Sequence, residues 1–197
     1  MARIVLNPAI QIISGDVGGF VYRQQEDGSV IVAKMPLTDP DRIPTEAQAQ
    51  HLQRFKEASA RFQRLMEDQG VKAAYQEIAA ERGIASRLRA MVIGDILKAP
   101  KINTVDLTHY TGAMGDTIRV LAEDNVGVSR LKLTIYDKSD DDVVETAEKV
   151  LTDKISGAAE WVYTATKAVP AETLIEVQVT AYDLAGNEIM RVAPMTA

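Results

Sequence analysis

Cysteine is absent from the chain, which excludes disulfides, thiolate nucleophiles and every zinc or iron–sulfur site that needs a sulfur ligand. The absence leaves the redox compartment open. No stretch approaches the roughly 20 consecutive apolar residues of a membrane-spanning helix. The opening "MARIVLNPAIQ" carries one basic side chain and a short apolar run broken at Asn7-Pro8, short of the roughly 7 to 15 apolar residues of a secretory signal. The expectation is a chain without Sec export or membrane insertion, cytoplasmic or released as part of an assembly.

Catalytic patterns are missing too. The two histidines, His51 and His109, stand in no His-x-x-x-His or Glu-x-x-His arrangement, and no Gly-x-Ser-x-Gly elbow occurs. The glycine-rich "SGDVGG" of residues 14–19 invites comparison with a phosphate loop. Such a loop passes from a strand into a helix N-terminus and carries Lys-Ser/Thr, whereas this one runs from strand to strand and holds Asp16 in place of a cation. It reads as a turn or bulge in which Gly15, Gly18 and Gly19 supply positive φ or close backbone approach. The chain is therefore expected not to be an enzyme, with no catalytic residues and no cofactor.

What is present is the composition of a folded protein: 46% hydrophobic and 25% charged residues, far from the range in which chains stay disordered. The 197 residues leave room for two modest cores. The net charge of -6 is uneven, with 13 Lys/Arg against 12 Asp/Glu in residues 1–100 and 9 against 16 in residues 101–197. An acidic second half repels phosphate backbones, which argues against non-specific nucleic-acid binding there.

Residues 2–35 are rich in side chains that suit strands, and "EDGS" at 26–29 is a hairpin turn of the Asp-Gly type. Strands are expected near 19–25 and 29–35, with 11–14 as an added edge. Pro36, Pro40 and Pro44 then interrupt regular structure. Thr45 with Gln48 matches a capping box, and Leu52, Phe55, Ser59, Phe62, Leu65 and Met66 fall on one helical face, with Gly70 as the stop. A second helix carries Val71, Ala74, Tyr75, Ile78 and Ala79 and ends at Gly83; a third, over 86–97, offers Leu88, Met91, Val92 and Ile96 before Pro100. Short amphipathic helices of this kind must bury their faces on each other and on the hairpin.

From Ile102 the period becomes two. Ile118, Val120 and Ala122, then Leu131, Leu133 and Ile135, then Ile175, Val177, Val179 and Ala181 alternate inward. With further runs near 103–108, 143–148, 160–165 and 188–193, about seven strands are expected, the number in an immunoglobulin-like sandwich. The segments "GDTIRVLAEDNVGVSRLKLTIYD", "EWVYTAT" and "VQVTAYDLAGNE" resemble parts of bacterial Ig-like or fibronectin-like modules, a likeness that covers 102–195 and implies fold, not function. Ser14 to Arg23 and Gly28 to Pro36 are similar to an SGxxGxxVYR hairpin of uncharacterised bacterial proteins. The expected fold is an α+β N-terminal domain of a β-hairpin plus three helices over 1–99, followed by an all-β Ig-like sandwich over 102–197, joined near 98–102.

Two acidic constellations are candidate metal sites. "DKSDDDVVETAE" places Asp137, Ser139, Asp141, Glu145 and Glu148 at spacings that imitate an EF-hand, but Asp142 replaces the required glycine and a strand precedes the loop, which favours a solvated loop. Asp124 and Asp183 share one end of the expected sandwich and make a second candidate, against their plain reading as Asx-turn residues. Arg54, Arg61, Arg64, Arg87 and Arg89 raise nucleic-acid binding as an alternative, countered by Glu57 and Asp68 at pairing distance on the first helix.

The leading expectation is a structural or interaction protein that self-assembles into homo-oligomers or filaments through β-strand contacts. The segment "ARIVLNP" is read as an apolar strand without a partner of its own, so Ile4, Val5 and Leu6, with Phe20 and Tyr22, are the expected assembly residues. A ligand-binding module, for instance for a glycan, using loops 123–129 and 183–188 is the competing class; Tyr182 is the one aromatic close to them, since Trp161 is expected in the core.

Overall fold

A computed structural model of the chain describes residues 14–25, 27–36, 43–151 and 157–196, and the backbone alone of residues 2–4. The chain divides into two compact units, residues 1–46 and 47–197. The division expected at 98–102 does not separate them: all three helices belong with the C-terminal strands. Among the described residues no helix is long and apolar enough to cross a membrane.

The first unit is a four-stranded antiparallel sheet in the order β1-β4-β3-β2, built from β1 (Ala2–Ile4), β2 (Gly15–Val17), β3 (Phe20–Gln24) and β4 (Val30–Lys34). Gly18 and Gly19 form the two-residue connection between β2 and β3 and both have positive φ (60° and 80°). That combination is the type I′ turn whose twist matches the flanking strands. The glycine run is thus a hairpin device. The edge strand expected at 11–14 falls mostly outside the described residues; the edge beside β3 is formed by Gly15–Val17. The N-terminal segment, expected to lack a partner, has one: Ala2, Arg3 and Ile4 pair with Val32, Ile31 and Val30.

The second unit starts with α1 (Glu46–Leu65), α2 (Gln69–Glu81), a single 3-10 turn (Ala85–Arg87) and α3 (Leu88–Ile96). Gly70, expected as a helix stop, lies inside the first turn of α2, where its amide and that of Val71 bond the Asp68 carboxylate at 2.8 and 3.1 Å. Asp68 is the N-cap that starts the helix. Gly83, in the left-handed region at φ 66°, follows the end of α2 as expected.

Seven strands follow: β5 (Lys101–Asp106), β6 (Thr117–Glu123), β7 (Val128–Asp137), β8 (Asp142–Val150), β9 (Ala158–Thr164), β10 (Leu174–Asp183) and β11 (Glu188–Thr196). They form a three-stranded sheet β5-β6-β9 and a four-stranded sheet β11-β10-β7-β8, antiparallel throughout. The inward residues of both share one core: Ile118, Val120 and Ala122 meet Leu131, Leu133, Ile135, Ile175, Val177, Val179 and Ala181, all buried. Trp161 lies in that core, edge-to-face with Tyr163 at a centroid distance of 5.5 Å. A register shift between Ile102 and Thr104 leaves the carbonyls of Ile102 and Asn103 to accept hydrogen bonds from Arg191 on β11, tying the edges of the two sheets. The chain is thus α+β, with three α-helices and antiparallel sheets among the described residues.

Candidate functional site

A second core joins the helices to one end of the C-terminal sheets. Ala58 of α1, Tyr75, Ile78 and Ala79 of α2, and Val92, Ile93 and Ile96 of α3 are buried, and this helical cluster includes Val126 from the β6–β7 loop and Ala185 from the β10–β11 loop. Two arginines fasten the contact. Arg61 donates to the Ala185 carbonyl (2.6 Å) and to Asn187 Oδ1 (3.0 Å). Arg82, just past α2, donates to the carbonyls of Asn125 (3.0 Å) and Val126 (2.6 Å). The planar guanidinium fork suits two carbonyl acceptors at once. Loops 123–129 and 183–188, expected to be open to a ligand, are the surface on which the chain's own helices dock. Tyr182 has its ring covered by the Arg130 guanidinium at 3.9 Å.

Three carboxylates meet at this junction. Asp95 comes from α3, Asp124 from the loop after β6 and Asp183 from the end of β10, and one oxygen of each lies within 4.8 Å of the others. Asp95 is 0% and Asp183 3% exposed; Asp124 is half-buried. Asn187 organises Asp183: its backbone amide donates to Asp183 Oδ1 and its Nδ2 to Oδ2, both at 2.7 Å. The same Nδ2 reaches the Asp95 and Ile96 carbonyls at 2.9 and 3.4 Å, satisfying the end of α3. Asp124 Oδ2 accepts the amides of Val126 and Gly127 at 2.7 and 2.9 Å, and Asp95 Oδ2 accepts the Tyr75 hydroxyl at 2.5 Å. The other oxygens, Asp95 Oδ1 and Asp124 Oδ1, are buried without a hydrogen-bond partner.

The electrostatics follow from this packing. Burial, reinforced by the negative charges of Asp183 and Asp124, pushes the Asp95 carboxyl up to about 8 even though the Tyr75 hydroxyl bond favours the carboxylate. Burial also raises Asp183 to about 6, opposed by the Asn187 bonds and the Arg61 charge. The Tyr75 hydroxyl is pushed far above its usual range, by burial first and then by Asp95.

Asp124 and Asp183, read from the sequence as sharing one end, are thus brought together. Asp95 is the member that sequence reasoning missed. Its signal was there: in "MVIGDILK" an acid stands three residues after Val92, on the face that also carries Leu88 and Ile96. Asp137 and Asp141 are not in the cluster. The Asp137 carboxylate bonds the Ser139 amide (2.8 Å), Asp141 pairs with Lys138, and the buried Glu145 accepts the Thr166 amide and hydroxyl at 3.1 and 2.6 Å. The five oxygens of the EF-hand-like spacing have separate roles along a β-turn and its flanking strand. His51 is exposed on α1 and His109 lies between β5 and β6.

Of the expected assembly residues, Val5 and Leu6 lie outside the described residues. Ile4 ends β1, opposite Val30; Phe20 and Tyr22 lie on β3, Phe20 exposed and Tyr22 half-buried. In the pairing register Val17, Phe20, Tyr22, Val30 and Val32 share one face of the first sheet. Comparison with protein-family models and with curated proteins finds no match to the chain.

Proposed function

We propose that the chain is a non-enzymatic structural or interaction protein that associates with copies of itself through strand contacts of its N-terminal sheet. The observation that carries this reading is the make-up of that sheet: Val30 is its one buried apolar side chain among the described residues, while Val17, Phe20 and Met35 are 64%, 46% and 41% exposed. A four-stranded sheet that buries so little offers a second copy the exposed Val17 and Phe20 and its outer strands, β1 and β2. Because Ala2–Ile4 already pair with β4, the contact is added at the sheet's outer edges; it is not made by a free strand. Among the described residues, the acids held above their usual range, Asp95 and Asp183, are buried where the helices meet the loops, which fits a structural role.

The 4+3 division of the seven C-terminal strands supports the finer reading of 102–197 as an immunoglobulin-like or fibronectin-like sandwich, with the fourth strand, β8, carried on the sheet of β7, β10 and β11. Light scattering on the full chain tests the assembly. A mass that is a multiple of 21.5 kDa is expected, falling towards the single-chain value in Val17→Lys and Phe20→Lys. Deleting residues 1–8 is the poorer test, since it would uncover the β4 edge. A monodisperse single-chain particle at all concentrations would overturn the proposal.

A further inference from the structure

Three acids drawn from three elements into one buried junction repel one another, and the hydrogen bonds around them stop short of satisfying them. Among the described residues, every donor that reaches the cluster is neutral: the Tyr75 hydroxyl, the Val126 and Gly127 amides and the Asn187 amide groups. The neighbouring guanidiniums of Arg61 and Arg82 are spent on loop carbonyls and Asn187. Asp95, with no exposed surface, keeps Oδ1 without a donor, and Asp124 does the same with its own Oδ1. A buried carboxylate oxygen without a donor is costly, and two belonging to one cluster mark a place for something positive.

We propose that Asp95, Asp124 and Asp183 form a structural site for a divalent cation of the calcium class, which locks α3 to the β6–β7 and β10–β11 loops. The donor set is all oxygen, which suits a hard cation and not zinc or copper. Ligand oxygens that all lie within 4.8 Å of one another can be spanned by Ca2+–oxygen bonds of about 2.3–2.6 Å, and Mg2+, which gives up its waters reluctantly and demands near-octahedral geometry, suits an all-protein carboxylate cage less well. One dication against three carboxylates leaves a single negative charge facing the Arg61 side of the junction. The three ligands sit on segments about 30 and 60 residues apart in the chain, so a cation there joins elements that only tertiary structure brings together. The rival occupant is a proton shared by the Asp95 and Asp124 carboxyls.

The test uses the full chain, freed of metal with a chelator, at neutral pH. Adding CaCl2 should raise the melting temperature by about 5–10 °C at a hundredfold excess over Kd, with one ion bound per chain by calorimetry and a smaller effect of MgCl2. Asp124→Asn and Asp95→Asn should each lose the response, while Asp141→Asn, in the separate acidic loop, should keep it. Should either variant fail to fold, displacement of Tb3+ luminescence by Ca2+ in the wild-type chain gives the binding directly. No shift and no heat with Ca2+, Mg2+ or Mn2+ would overturn the proposal, as would a response that persists in both site variants. A wild type indifferent to metal whose Asp95→Asn variant melts higher would assign the junction to the shared proton instead.

Discussion

Buried on α3 with Tyr75, Asp124 and Asp183 around it and the Arg61 charge acting on Asp183, the Asp95 carboxyl stays protonated up to about pH 8, whereas the unfolded chain releases that proton near 3.8. Between those values the folded state binds more protons than the unfolded one. The stability that these two groups contribute to the metal-free chain is therefore full below about pH 4 and is lost as pH climbs to about 8, the Asp183 share being lost by about 6. Urea midpoints measured across that range should decline, and Asp95→Asn should flatten the portion above pH 6; a midpoint that rises from 6 to 8 would contradict the argument. Asn187 is the second residue to test. Asn187→Ala removes donors from buried Asp183 and from two α3 carbonyls, and the acceptor of Arg61. A loss of about 3 kcal/mol is expected by urea unfolding.

Among the elements, the strands were the legible part. Ile118, Val120 and Ala122 and the matching residues of β7 and β10 are buried as their alternation implies, because period-two patterning maps directly onto the two faces of a sheet. Helix faces were read less well. Leu52 and Phe55 follow the 3.6-residue period yet stand exposed, and Ala58 is the buried residue of α1. Periodicity tells which residues share a stripe, not how far along the helix a partner surface extends. Gly70 shows the same kind of limit: a glycine two residues after an aspartate serves a helix start as readily as a helix end, and the Asp68 bonds decide it. Asp68→Ala should cost about 1 kcal/mol, read as a lower urea midpoint with an unchanged slope. Gly70→Ala, whose added methyl would lie 3.3 Å from the cap oxygen, combines better helix propensity with a crowded cap and is the less informative change.

For the molecule as a whole, the place of the helices is what the sequence could not give. Chain order and the proline-rich segment 36–44 suggest that they belong with the hairpin, but their apolar faces are buried against Val126 and Ala185, residues about 30 to 130 positions further on. Nothing in a single sequence marks Arg61 as the partner of Asn187, or Arg82 as the partner of the Val126 carbonyl. If the junction is part of one folding unit, residues 47–197 should melt in a single cooperative step close to that of the full chain's C-terminal unit. Residues 102–197 alone should melt lower by roughly 10 °C, because Val126 and Ala185 lose their cover and the loop carbonyls lose their arginine donors. Differential scanning calorimetry on the two fragments makes the comparison. Equal melting temperatures would mean that the helices add nothing to the sheets beneath them, and would return the boundary to 98–102. A lower one for the shorter fragment makes the helix–loop junction part of the fold's own core, with the three aspartates at its centre.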